Sequence, residues 1–354
     1  MNYLEFYGLS QEPFSNAPVS KFFFNSAQHS KALMRLMYAT ESMKGLALLV
    51  GDIGAGKTTL ARRLLDQLPE DAYEAALLVI IHSGITAEWL LKRIATQLGV
   101  PEPAEDRLTL LSQLYKRLVE IHEKGKKAVV LIDEAQMLQT REIMEEFRGI
   151  LNLEIPGHKL LTFVFFGLPE LEENLKLDPP LANRIALRYH LEPLNDEATS
   201  NYIEHRLRLA GKSNPLFEAD AISEIHRISH GVPRLINTIC DNALFEGSLL
   251  KRNTINGEII RNIARDLGLS DDVLAARQAQ AAATEAAVRS ATAASKTRAQ
   301  APGAAPGVTP GTARPLSAAG AKPAPPAPKP AAKPADALKS GDDEIDSILD
   351  KFGS

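Results

Sequence analysis

The sequence predicts an α/β fold: a parallel sheet with a glycine-rich loop after its first strand, followed by a helical domain and a long tail. Three observations predict it. Short apolar runs alternate with helical patterns through the first half of the chain, and the first of these runs leads straight into a glycine-rich loop. Strand-like runs stop near Pro193, where the pattern becomes all-helical, and Ala and Pro take over beyond about residue 270.

Each element follows from its own pattern. "LALLV" (46–50), "AALLVIIH" (75–82), "KAVVLID" (127–133) and "LLTFVFFG" (160–167) are continuous apolar runs. Such runs fit strands buried on both faces, as in a parallel sheet covered by helices. The intervening "TTLARRLLDQL", "AEWLLKRIATQLG", "TLLSQLYKRLVEIHEK" and "REIMEEFRGILNLE" have helical spacing. Beyond Pro193, four helices are predicted. The first is capped by Asn195 or Asp196 and stopped by Gly211; Gly231 ends the second, Pro233 lies near the start of the third, and "TINGEIIRNIARDLG" is the fourth. The expected organisation is an N-terminal segment packed on the core (1–44), the α/β domain (45–192), a helical lid (193–268), a disordered Ala/Pro-rich basic linker (269–340) and an acidic amphipathic tip (341–354).

Composition narrows the function classes. No run reaches the roughly 18–20 apolar residues needed to cross a bilayer, and the N-terminus lacks a basic start followed by an apolar stretch, so a cytoplasmic protein is expected. The single cysteine, Cys240, excludes a disulfide framework and lies among apolar helical positions. A net charge of −4 gives no overall drive toward nucleic acid or membrane. Charge is polarised in the tail: residues 275–340 carry nine Lys/Arg against two Asp/Glu, whereas the last fourteen carry five acids and one lysine. In the tip, Ile345, Ile348, Leu349 and Phe352 share one helical face, a pattern suited to docking in a partner's groove.

The chemistry centres on "GDIGAGKTT", which fits G-x-x-x-x-G-K-[ST]. Backbone amides of Gly51, Asp52, Ile53, Gly54, Ala55 and Gly56 are expected to surround phosphates at a helix N-terminus, with Thr59 beside them. Lys57 is expected to reach the β and γ phosphates of ATP, and Thr58 to hold Mg²⁺ through its hydroxyl. "VVLIDEAQ" delivers Asp133 and Glu134 at a strand end, where Asp133 suits the Mg²⁺ shell and Glu134 can polarise the attacking water. His226 and His230 have helical metal-pair spacing but lack the glutamate of H-E-x-x-H and a third ligand nearby, so they read as packing residues. Lys124, Lys126 and Lys127 read as a solvated turn, and the N-terminal aromatics, Phe22, Phe23 and Phe24 among them, as packing onto the core near the adenine.

"FYGLSQEPF", "GDIGAGKTTL", "DEAQML", "EEFRGILNLE", "GLPEL", "LANRIALRYHLEPL", "YIEHRL" and "GVPRLINTICDNAL", in this order, resemble AAA+ ATPases of the general secretion pathway A (ExeA) type, from about Tyr3 to Leu267. The resemblance implies an AAA+ core with a helical lid, an ATP hydrolase using Mg²⁺, and a homo-oligomer. It implies that Arg234 is the lid arginine that senses γ-phosphate. Arg184 is implied as the arginine finger entering a neighbour's site, with Arg188 the runner-up and Arg148 a further intersubunit candidate. Two departures stand out. Leu168 occupies the sensor position where the family usually has a polar residue, so turnover is expected to be slow or to depend on a partner, with Gln136 the candidate to compensate. The membrane span and peptidoglycan-binding domain of secretion-type members are not found, which argues against wall remodelling by the chain itself. The expected role is to drive or regulate a cell-envelope secretion, pilus or polysaccharide system, with an unidentified protein partner recruited through residues 341–354. The alternatives are a DNA-associated regulator resembling transposition ATPases and an ATP-gated scaffold with little turnover.

Overall fold

The computed structural model describes residues 2–17 and 20–269, so the expected linker and tip lie outside the described residues. The core is a five-stranded, all-parallel sheet of β1 (Leu46–Gly51), β2 (Tyr73–Val79), β3 (Lys127–Asp133), β6 (Leu161–Gly167) and β7 (Ile185–Leu191), ordered β2-β3-β6-β1-β7. A two-residue antiparallel hairpin, β4 (Glu154–Ile155) and β5 (His158–Lys159), precedes β6.

Side chains alternate across the sheet and explain why both faces are apolar. Leu46, Leu48, Val50, Val130, Ile132, Phe163 and Phe165 point to one face and share a buried cluster with helices α4 (Ala87–Gln97), α5 (Arg107–Glu123) and α6 (Arg141–Ile150). Ala47, Leu49, Val129, Leu131, Val164 and Phe166 point to the other and pack with α2 (Ala27–Glu41) and α3 (Lys57–Asp66). Phe147 of α6 meets Phe163 and Phe165 edge-on, with ring centroids 4.9 and 4.8 Å away. Full burial of each such side chain contributes roughly 1.5–3 kcal/mol, which is what makes the register unique.

The structure moves several expected boundaries. β2 begins at Tyr73 and leaves the sheet after Val79 rather than running to His82. Its next amide, Ile80 N–H, donates to the Asp133 carbonyl at 3.0 Å, and Ile81 then turns out, 82% exposed. Helix α6 ends at Ile150, and the chain turns before the β4–β5 hairpin instead of continuing as helix through Glu154. The fifth strand, β7, was not expected from the apolar runs. It lies on the sheet edge, so Ala186, Arg188 and His190 face solvent between the half-buried Ile185, Leu187 and Tyr189. That alternation marks a one-sided edge strand rather than a buried run.

Four helices follow: α9 (Asp196–Leu209), α10 (Ala219–Ser229), α11 (Pro233–Leu249) and α12 (Gly257–Asp266). Asn195 is the cap of α9, its side chain accepting from Ala198 N–H at 2.8 Å. They share a separate apolar cluster that also takes in Tyr7, Leu9 and Phe14 from the N-terminus, where α1 (Tyr3–Tyr7) lies. Among the described residues, no helix is long and apolar enough to cross a membrane.

Candidate nucleotide site

β1 ends at Gly51, and α3 starts at Lys57, so the glycine loop turns between a buried strand and a helix N-terminus. The glycines have separate steric reasons. Gly54 and Gly56 adopt φ of +81° and +104°, which side chains of L-residues rarely tolerate. A Cβ at Gly51 would sit 2.7 Å from the Leu191 carbonyl oxygen of β7. The loop lines a cavity of about 460 Å³ with Lys57, Thr58, Thr59, Glu134, Leu168 and Arg234.

Lys57 is buried, and its ammonium donates to the Gly51 and Asp52 carbonyls, both at 2.9 Å. Burial pulls its pKa below the usual lysine range, with Arg234 adding to that pull; Glu134, Asp133 and Asp52 oppose it. Arg234 lies on the first turn of α11, where its N–H reaches the Gly54 carbonyl at 3.4 Å. A Cβ on Gly54 would come within 2.7 Å of the Arg234 Cβ, so the glycine loop and the helical domain touch here.

At the end of β3, Asp133 is 1% exposed. Its Oδ1 accepts from Glu134 N–H at 3.0 Å, and its Oδ2 is buried without a hydrogen-bond partner. Burial pushes its carboxyl above the usual carboxylate range, partly offset by the neighbouring Thr58 hydroxyl and Glu134 amide. A buried carboxylate oxygen without a donor, beside a threonine hydroxyl, fits a hard divalent cation such as Mg²⁺. Glu134 is held at φ +56°, and its Oε2 accepts from Gln136 Nε2 at 2.6 Å.

Arg184, Arg188 and Arg148 do not line this cavity. Arg184 Nη1 reaches the Arg148 carbonyl at 3.4 Å, Arg148 Nε donates to Asp178 at 2.8 Å, and Arg188 lies exposed on β7. Lys126 and Lys127 line a second cavity with Lys44 and Lys159, at the opposite, N-terminal ends of the strands. His226 bonds Thr199 Oγ1 at 3.0 Å within the helical domain.

Phe22 to Phe24, expected on the core near the adenine, form another wall of the cavity, and with them stand Asn16, His29, Arg206 and Asn237, which the sequence does not single out. Arg206 is 5% exposed; it donates to Tyr202 Oη at 2.7 Å, to Asn237 Oδ1 at 3.1 Å and to the Ser15 carbonyl at 2.9 Å. Arg206 and Asn237 stand within the segments "YIEHRL" and "GVPRLIN", but a buried arginine in an amphipathic helix has no periodic signature of its own.

Residues 40–175 match the AAA domain family AAA_22. Together with the parallel sheet and the phosphate loop, this makes the molecule an AAA+ P-loop protein. It is related to the general secretion pathway protein A of Aeromonas hydrophila, being 41% identical over 245 residues, which are 68% of this chain and 44% of that protein. It is also 26% identical over 159 residues to an uncharacterized HTH-type transcriptional regulator of Methanocaldococcus jannaschii, covering 43% of this chain and 38% of that one. The chain thus spans less than half the length of the curated relatives it matches. Among solved structures, Cdc6p from Pyrobaculum aerophilum is similar with a TM-score of 0.56 and 19% identity, over 74% of this chain and 73% of that chain. The Aeropyrum pernix ORC2 protein, solved as ADPNP–ADP complexes, gives 0.55 and 16% over 72% and 71%. At these identities the likeness is one of fold.

Proposed function

We propose that the chain binds ATP with Mg²⁺ and hydrolyses it in a homo-oligomer, driving or regulating a cell-envelope secretion, pilus or polysaccharide system. The observation that carries this reading is the convergence of Lys57, Thr58, Glu134 and Arg234 on one glycine-lined cavity, with the buried Asp133 behind it beside Thr58 and Lys57. Lys57 and Arg234 are two mutually repelling cations, one of them desolvated, and a triphosphate relieves both penalties on binding. Thr58 and Asp133 would hold Mg²⁺, which supplies charge neutralisation at the phosphates when bound. Glu134 polarises the attacking water, and the wall formed by Phe22 to Phe24, Arg206 and Asn237 receives the base and ribose. Arg184, which does not line the cavity of its own subunit, completes the site of a neighbouring copy. The domain limits given above serve this reading: a helical lid that brings Arg234 to the phosphates.

The test uses complementary variants. Glu134→Gln is expected to keep ATP affinity and lose turnover by about 100-fold or more, and Arg184→Ala to lose a similar amount. Mixing the two regenerates sites that pair an intact Glu134 with an intact Arg184, so turnover returns. A mixture no more active than its components refutes the shared site. The similarity to general secretion pathway protein A favours an envelope role, whereas the HTH-type regulator favours DNA association. ATP-trapped Glu134→Gln used for affinity capture, with and without residues 341–354, separates these: an envelope component is expected, and DNA alone overturns the envelope role.

A further inference from the structure

Leu168 follows β6 with no polar group on its side chain, yet a polar group reaches that position from the turn after β3. Gln136 is 6% exposed, and its amide orientation is fixed by its neighbours. Leu168 N–H donates to Gln136 Oε1 at 3.1 Å, which leaves the NH₂ end directed to Glu134 Oε2 at 2.6 Å. A third contact anchors the backbone: Asn174 Nδ2, on α7 (Glu170–Leu175), donates to the Gln136 carbonyl at 2.8 Å. Gly167 makes the arrangement possible, because a Cβ there would lie 3.1 Å from Gln136 Oε1 and 2.8 Å from Leu171 Cδ2.

We propose that Gln136 is the positioning residue of the hydrolytic site, locking one oxygen of Glu134 so that the other is presented to the attacking water. The inference rests on the ATPase reading above and assigns to Gln136 the polar contact that Leu168 lacks. Glu134 needs such a hold: it sits in a left-handed turn at φ +56°, and among the described residues Gln136 is the one donor to its carboxylate. A hydrogen bond to an ionised carboxylate is short and directional, so it restricts the side-chain torsions that the turn leaves free. The three contacts run in one direction. Leu168 and Asn174 fix Gln136, Gln136 fixes Glu134, and movement at the end of β6 or of α7 is felt at the carboxylate.

The geometry separates positioning from binding. Gln136→Ala is expected to lower kcat by about 10- to 100-fold, as expected for a group displaced by about an ångström, while KM and the affinity for a fluorescent ATP analogue stay within about two-fold. Gln136→Glu keeps the shape and the acceptor facing Leu168 N–H, but replaces the donor with a like charge; it is expected to lose at least as much kcat without loss of fold. A readout independent of turnover is the pair of Gln136 side-chain amide protons by NMR. In the unliganded chain one is expected well downfield of a free amide, collapsing to the ordinary pair in Glu134→Ala. Either variant retaining kcat within two-fold of wild type overturns the proposal, as does an amide pair indifferent to Glu134→Ala. A wild-type chain that binds ATP without any turnover refutes the ATPase reading alone, and the amide signature then decides whether Gln136 holds Glu134.

Discussion

Asp133 shows how a residue can be costly to the fold and useful to a site. Its Oδ2 has no partner in a buried position, and burial raises its pKa, both signs of an unfavourable charged state. Asp133→Asn is therefore expected to stabilise the nucleotide-free chain by at most about 1–2 kcal/mol, the relief of a desolvated carboxylate less the attraction of the neighbouring Lys57 that the amide gives up. The same substitution is expected to abolish the rise in melting temperature that the proposed binding of ATP with Mg²⁺ predicts. Thermal unfolding with and without both ligands checks this, and a variant less stable than wild type contradicts it. His29 supplies a pH dependence. Its Nδ1 is 2.7 Å from Ser26 Oγ, and burial lowers its pKa below 6.5, against a weaker opposing contact with Ala55. The folded chain therefore holds His29 neutral while the unfolded chain protonates it. Stability is full above pH 6.5 and falls as pH drops through and below that value. His29→Gln is expected to flatten this part of the denaturation midpoint against pH.

At the scale of elements, the chain leaving β7 is tied by a backbone pair to the turn between α10 and α11. Leu194 N–H donates to the Gly231 carbonyl at 2.9 Å, just before α11 carries Arg234 to the glycine loop. Gly231 has φ +74°, and a Cβ there would fall 1.8 Å from the Leu194 carbonyl oxygen, a clash with backbone that no side-chain movement relieves. Gly231→Ala is thus expected to cost well over the ~1 kcal/mol of an unfavourable φ alone, and to weaken ATP binding by displacing Arg234. Equilibrium unfolding and nucleotide titration measure both effects; a stable variant with normal affinity overturns this role for the Gly231–Leu194 contact. The sequence made the four buried strands legible because burial on both faces leaves an unbroken apolar run. β7 is not legible in the same way because Ala186, Arg188 and His190 face solvent at every second position and interrupt the apolar run. The glycine loop and the Asp133–Glu134 pair were legible for a different reason: their chemistry requires particular residue types at fixed spacing. Gln136 could be singled out from its neighbours in "DEAQ", but its bonds to Leu168 and Asn174 cross 32 and 38 residues and depend on the strand order. Spacing along the chain cannot encode such contacts.

Over the whole molecule, the N-terminal residues connect stability to the site. Phe14 is 1% exposed in the helical cluster, its ring 6.0 Å from that of Phe217. Around it, Gln11 donates to the Leu209 carbonyl at 2.7 Å and Tyr7 Oη to the Arg252 carbonyl at 3.0 Å, so the segment is tied to the ends of α9 and α11. The next residues form the cavity wall: Arg206 donates to the Ser15 carbonyl, and Asn237 Nδ2 to Asn16 Oδ1 at 3.0 Å. Removing the Phe14 ring therefore leaves a cavity in one cluster and releases the wall of another. Phe14→Ala is expected to destabilise the chain by about 3–5 kcal/mol, the range for a buried aromatic, and to weaken ATP affinity by about ten-fold under conditions where it remains folded. Phe163→Leu is the control, because Phe163 lies in the sheet cluster and not in the cavity wall. It is expected to lower the denaturation midpoint while leaving affinity unchanged. If Phe14→Ala behaves like Phe163→Leu, losing stability alone, the N-terminal segment is a support for the helices and takes no part in holding the nucleotide.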